Sequence, residues 1–378
     1  MKILTILLTT AVAFAATPAE IAIEKAQTEI NKHPDHAAYY SLLAMAYARR
    51  ARETSDVQYY TKAEETLHRC FAITPDNYEG LKTLAWLQLG RHEFAKALET
   101  ATKLNQKVPD DVLVYGYLAD ANTELGNYKE AVAAAQWMLD LRPGNVPGVT
   151  RAAYQRELHG NLPGALELMQ MAYDSTPPAE SEDRGWLLTQ MGHLSLVAGD
   201  LSQAETYANR ALGLFPDYHY ALGMLAQVRA AQKHYDDAVK LLRKRYTEAP
   251  HAENLYALAE ALELAGQTDD SQKAFAEFER KSRAETNFAD NSNHELIAYY
   301  VDHARQPGKA LEVARREIAR RKDVFTLDCY AWALAANGQY DAANAQIQKA
   351  LQIGVKDPKI VTHANYISQH LNQAVEGE

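Results

Sequence analysis

Val112 to Asn145 reads VLVYGYLADANTELGNYKEAVAAAQWMLDLRPGN, and its apolar residues recur at helical spacing on both sides of Gly126 before the segment stops at Pro143. Glycine tolerates the left-handed conformation that closes a helix, and proline cannot continue one. The stretch therefore reads as helix, turn, helix, stop. The same punctuation extends outward in both directions. Pro75, Pro109, Pro143, Pro177, Pro216 and Pro250 are separated by 34, 34, 34, 39 and 34 residues. Gly126, Gly160, Gly199, Gly266 and Gly338 keep a second beat, each about 17 residues ahead of its proline or of the place where one would stand. Repetition also settles a question of size, since 378 residues exceed what one hydrophobic core organises, roughly 250 to 300, whereas an array grows unit by unit.

Within the quoted unit, Leu118 and Ala119 form a large and small pair, Gly126, Asn127 and Tyr128 the turn, Ala131 the small residue where two helices cross, and Pro143 the terminator. Helix backbones reach the short end of the roughly 8 to 10 Å packing range where side chains are minimal. This arrangement resembles the tetratricopeptide repeat. The resemblance continues through Ala165, Ala172 and Pro177, through Gly192, Ala204, Ala211 and Pro216, and through Leu225, Ala226, Tyr235, Ala238 and Pro250. Later units are looser: Leu258, Ala259 and Gly266 with Ser271 at the crossing, then Ala298 and Ala310, then Tyr330, Ala331, Gly338, Tyr340, Ala343 and Ala350. It implies an all-α fold, a right-handed superhelical α-solenoid of about nine helical hairpins over residues 36–357. A lone helix over 17–35 precedes the array, and a capping helix and tail over 358–378 follow it.

Departures from the period are expected to matter. Leu43, Ala44 and Tyr47 lie about seven residues too far from Ala63 and Pro75, so the stretch Arg50 to Tyr60, RARETSDVQYY, lengthens the first hairpin. Such a long-hairpin first repeat is similar to that of exported bacterial tetratricopeptide proteins. In the Pro75 to Pro109 unit Gly90 comes early, which predicts a displaced turn and a longer second helix. Two five-residue excesses, near Ser181 and within Arg283 to Asn291, predict enlarged loops, and the polar stretch KSRAETNFADNSN predicts a flexible joint.

Composition excludes several classes. With 47% apolar and 23% charged residues the chain is an ordered globular protein. A net charge of −10 without a long basic run removes the counterion-release term behind nucleic-acid binding. Lys2 is followed by an apolar run from Ile3 to Ala16 that ends in Ala13, Phe14, Ala15, the pattern of a Sec signal peptide over 1–16 cleaved after Ala15 or Ala16. A run of about 14 residues is too short for a hydrocarbon core of roughly 30 Å. The expected location is the periplasm, with secretion as the alternative.

No familiar catalytic constellation is complete. His294 and Glu295 open like an HExxH zinc helix, but position 298 is Ala298. His33 and His36 flank Pro34 and Asp35 in what reads as a solvated connection. Asp236 with Asp237 and Asp269 with Asp270 follow turns, where carboxylates stabilise the positive end of a helix. Cys70 and Cys329 sit in the first and last repeats, too far apart for a disulfide, and both read as buried small hydrophobes. No enzyme activity, metal or cofactor is expected.

The resemblance also implies a binding surface, because in this family the first helix of each repeat lines the concave face. Carried over position by position, it names Trp86, Asp120, Tyr154, Trp186, His193, Tyr256, Glu260, Tyr299 and Trp332 as candidate groove residues, with Tyr220, Phe325 and Asp328 beside them. Tyr and Trp bury large areas at low entropy cost, so such a stripe suits partner capture. The basic clamp with which some members hold carboxylate termini is absent apart from Lys82 and Arg49. The expected function is a non-catalytic scaffold or adaptor of the cell envelope whose partner is an apolar or mildly basic extended peptide or a partner protein, bound by a monomer or weak dimer; the alternative is an accessory subunit that binds a small molecule or glycan for an envelope enzyme or transport system.

Overall fold

Small residues placed twelve apart decide where the helices cross. Ala85 with Ala97, Ala119 with Ala131, Ala153 with Ala165, Ala226 with Ala238 and Ala331 with Ala343 are each at most 2% exposed. Each pair lets the two helices of a hairpin touch at the backbone. The computed structural model describes residues 16–376, so the leader, but for Ala16, lies outside the described residues. The lone helix is α1, Pro18–Lys32, capped by a reciprocal Thr17 and Glu20 box. The hairpins that follow are α2 Ala37–Thr54 with α3 Gln58–Ile73, α4 Tyr78–Gly90 with α5 Phe94–Lys107, α6 Val112–Glu124 with α7 Tyr128–Leu141, and α8 Val146–Leu158 with α9 Leu162–Ser175. Then come α10 Ser181–Val197 with α11 Leu201–Leu214, α12 His219–Ala231 with α13 Tyr235–Glu248, and α14 Ala252–Leu264 with α15 Thr268–Glu285. The array ends with α16 Asn293–Ala298, which runs into a π-helical turn at Tyr299–His303 and pairs with α17 Pro307–Arg320, and with α18 Val324–Ala336 paired with α19 Tyr340–Ile353. The last element, α20 Pro358–Glu376, covers α18 and α19. Nine stacked hairpins form an all-α solenoid, with no strand among the described residues.

The turns keep a stricter beat than glycine alone reveals. Positive φ occurs at Ser55, His92, Gly126, Gly160, Gly199, Lys233, Gly266, Arg305 and Gly338, one for each hairpin turn. His92, Lys233 and Arg305 hold the left-handed position without glycine's freedom. Three sequence expectations are corrected accordingly. The second unit does not move its turn: α5 has 14 residues, like α7, and His92 stands where glycine does elsewhere, while Gly90 makes room for the Tyr60 hydroxyl, 2.9 Å from where a Cβ would sit. The excess near Ser181 extends a helix rather than a loop, since α10 has 17 residues against 13 in α12. The stretch proposed as a flexible joint lengthens α15 to 18 residues and is then tied down. Arg320 donates to the carbonyls of Thr286, Asn287 and Phe288 at 2.7 to 3.2 Å, and Ser282 meets Ser292 at 2.6 Å. Cys70 is buried as expected, whereas Cys329 is only half-buried, and both thiols are free.

The solenoid closes on itself. The lengthened tip of α2 reaches across to the starts of α10, α12 and α14: Arg49 pairs with Glu180, Arg52 with Glu182 and Asp183, Ser55 Oγ meets His219 at 2.8 Å, and His251 Nε2 meets the Ser55 carbonyl at 2.6 Å. Farther along, the tips of the third and fourth hairpins meet the connections before α18 and α20. Lys322 N donates to the Glu124 carbonyl at 2.9 Å, Val324 N donates to the Tyr128 hydroxyl at 2.8 Å, and Arg321 pairs with Glu124 at 2.5 Å. At Gly126 and Gly160 an added Cβ would stand 2.7 Å from the Lys322 carbonyl oxygen and 2.4 Å from that of Gly354. These two glycines therefore serve both the turn and the seam.

Gly160→Ala and Gly199→Ala are expected to separate those roles, because their φ values are 75° and 84° while an added methyl at Gly199 meets nothing within 4 Å. Both lose left-handed freedom, but Gly160→Ala is expected to cost roughly 1 to 3 kcal/mol more in denaturant unfolding, the range for forced overpacking; equal losses would contradict the seam. A second expectation concerns acid. Burial first, then the Arg245 charge, depresses His219 to about 3 from an ordinary value near 6.5. A histidine with a depressed folded pKa contributes stability above its unfolded value and loses it as pH falls toward the folded one. The melting temperature should therefore fall progressively below about pH 6.5, and His219→Gln should flatten that acid branch.

Candidate partner-binding groove

Consecutive first helices are joined by a ladder of polar pairs. Asp120 pairs with Arg151 at 2.5 Å, Glu157 with His193 at 2.8 Å, and Glu182 accepts from the Tyr218 hydroxyl at 2.6 Å. After the longer α15, Glu260 lies 3.6 Å from His303, Asp302 accepts from Trp332 Nε1 at 2.9 Å, and Asp328 pairs with His363 at 2.8 Å. Each rung ties one repeat to the next at a spacing of one unit. For His193, burial works against the charged form, but the hydrogen bond and charge of Glu157 outweigh it and raise the imidazole above its ordinary value.

The structure divides the candidate residues by role. Asp120, His193 and Glu260 are half-buried members of the ladder. Tyr256 is buried, its hydroxyl donating to Glu260 at 2.8 Å and its ring packed on Phe278 at 5.1 Å. Trp332 stacks flat on His363 at 4.1 Å, and Tyr299 stacks on Phe275 at 5.4 Å, so both bind neighbouring helices together. Their rings are occupied by the protein's own packing. Trp86, Tyr154 and Trp186 remain half-buried on α4, α8 and α10, each with one edge against the core. Tyr220, on α12, is 37% exposed, its ring tilted against that of His219 at 3.9 Å. The two basic exceptions are engaged by the protein's own carboxylates, Lys82 by Asp111 at 2.8 Å and Arg49 by Glu180.

Arg151, Glu157, Asp302, His303 and His363 carry the ladder and were not anticipated, although opposite partners one repeat apart were a usable signal in the sequence. Burial, reinforced by the Glu253 charge, pushes Glu295 up to about 7, with Lys359 opposing and Glu260 adding to the effect. His294 meets Thr326 Oγ1 at 2.9 Å, and no group of three or more His, Cys, Asp or Glu side chains capable of holding a metal occurs among the described residues. No helix among them is long and apolar enough to cross a membrane.

Comparison with known proteins bears on this geometry. The sequence model of the tetratricopeptide repeat matches residues 82–146 and 189–253. No curated protein matches the chain. Among solved structures, the hetero-tetramer Cut9–Hcn1 of APC/C is 11% identical over 91% of this chain and 58% of that one, with a TM-score of 0.52. The human IFIT1 dimer with m7Gppp-AAAA is 12% identical over 90% of this chain and 96% of that one, with a TM-score of 0.51. PilW, a type IV pilus biogenesis factor, is 16% identical over 54% of this chain and 93% of that one, with a TM-score of 0.45. At these identities the structures share the fold alone. The chain thus carries tetratricopeptide repeats over residues 82–146 and 189–253, within an array of stacked hairpins that shares the fold of these structures.

Proposed function

We propose that the chain is a non-catalytic interaction scaffold of the cell envelope, exported by its leader, which holds an extended peptide or a partner protein on its concave face. The observation that supports this reading best is the row on α4, α8, α10 and α12 formed by Trp86, Tyr154 and Trp186, half-buried and paired with no other aromatic ring among the described residues, and by Tyr220, which is 37% exposed. Aromatic rings fixed on rigid helices capture a partner with little loss of conformational freedom. The acidic character around Glu253, Glu260 and Glu295 favours a partner that is apolar or mildly basic over an acidic one. Tyr256, Trp332 and Tyr299 then act as support for this face rather than as contacts. The tetratricopeptide family is itself built for protein binding, which agrees with the reading.

Site-specific photocrosslinking in living cells tests it. A photoreactive residue at Tyr220, 37% exposed on the concave side, is expected to capture one dominant protein, whereas one at Lys240, whose side chain is 76% exposed on the second helix of the same hairpin, captures none. Trp186→Ala is expected to abolish the capture at Tyr220 while leaving the helical content intact. Equal capture from both positions, or capture indifferent to Trp186, would contradict the groove assignment.

A further inference from the structure

Where the two turns of the solenoid meet, the seam borders a half-open cavity of about 390 Å³ whose wall includes Leu89, Phe94, Tyr154 and Gln155 from the early repeats and Arg321 from the connection before α18. That volume falls within the usual range of small-molecule sites. The charges in the wall are matched: Asp120 is paired with Arg151 at 2.5 Å and Glu124 with Arg321 at 2.5 Å. A charged ligand would have to break one of these pairs, and an uncharged one would not.

One polar group in the wall is not matched. Gln155 is 6% exposed, and its Oε1 is buried without a hydrogen-bond partner. The orientation of its amide is set by its neighbour. Thr123 already donates its hydroxyl proton to the Ala119 carbonyl at 2.8 Å, so toward Gln155 it can only accept, and it does so from Nε2 at 2.7 Å. Oε1 is therefore an acceptor waiting for a donor, a condition buried groups rarely keep. Beside it, burial holds the Tyr154 hydroxyl far above its ordinary pKa, so it stays protonated and available both to donate and to accept.

We propose that this cavity binds one uncharged, hydroxyl-rich small molecule of about sugar size. A ligand hydroxyl would donate to Gln155 Oε1, a second would pair with the Tyr154 hydroxyl, and the apolar side of the ligand would pack on Tyr154 and Leu89. The site meets the partner-binding row at Tyr154 alone: Gln155 belongs only to the cavity, and Trp86, Trp186 and Tyr220 belong only to the row. Because its wall comes from both turns of the solenoid, the ligand would also hold the seam shut, and a ligand that binds the folded state alone raises the melting temperature.

The test is a thermal unfolding series on the purified chain with glucose, galactose, N-acetylglucosamine and inositol as neutral probes and glucuronate as the charged counterpart. A concentration-dependent rise with at least one neutral probe is expected, absent with glucuronate, lost in Gln155→Leu and reduced in Tyr154→Phe. No rise with any neutral probe through the millimolar range would overturn the proposal, as would a larger rise with glucuronate or one unchanged in both variants. If Gln155→Leu does not fold, Tyr154→Phe decides, since it removes a single oxygen.

Discussion

The hydrogen bond from Lys322 N to the Glu124 carbonyl joins two backbone segments that lie just over half the chain apart, and the shape of the molecule depends on contacts of that kind. A solenoid with contacts between sequential neighbours alone is quasi-one-dimensional, and its curvature is set by small rotations between units. Once the tips of early hairpins touch the connections of late ones, the pitch is fixed and the inner face becomes an interior. The long first hairpin, through Arg52 and Ser55, and the two seam glycines, Gly126 and Gly160, are the means by which this sequence holds that closure.

Closure redistributes what the concave face can do. A polar ladder joins successive inner helices; its partly exposed rungs, such as Glu157 to His193, contribute little individually, whereas Asp328 to His363 is buried. Their value lies in register, since each fixes how one first helix stands beside the next. Aromatic side chains divide accordingly between cement and surface, with Trp332 and Tyr256 on one side of the division and Tyr220 on the other.

The hairpins were legible in the sequence because their determinants are local. Proline at a fixed interval, glycine at the turn and alanine at the crossing each act within one unit, and Ala119 with Ala131 can be read without knowing anything beyond Pro143. The turns at His92, Lys233 and Arg305 were hidden because counting glycines misses a left-handed residue of another type. The excess near Ser181 was misplaced for a related reason: its residues lengthen α10, which packs against α9 and α11, whereas the excess within 283–291 both lengthens α15 and leaves the longer connection 286–292 before α16. The seam could not be read at all. Nothing local distinguishes Gly160, which faces the Gly354 carbonyl, from Gly199, which faces no neighbouring atom within 4 Å. The candidate groove was legible as a stripe of inner positions, but which rings remain accessible depends on partners one repeat away.

Backbone amide exchange at Lys322 and Val324 tests the closed solenoid most directly. Both amides stand at the start of α18, where a helix offers no internal acceptor, and their acceptors, the Glu124 carbonyl and the Tyr128 hydroxyl, belong to the third hairpin. Protection of these two amides, comparable to that of the helix cores, is the result the closed structure predicts. Exchange at the rate of an exposed loop, with the rest of α18 protected, would show that the two turns of the solenoid do not meet.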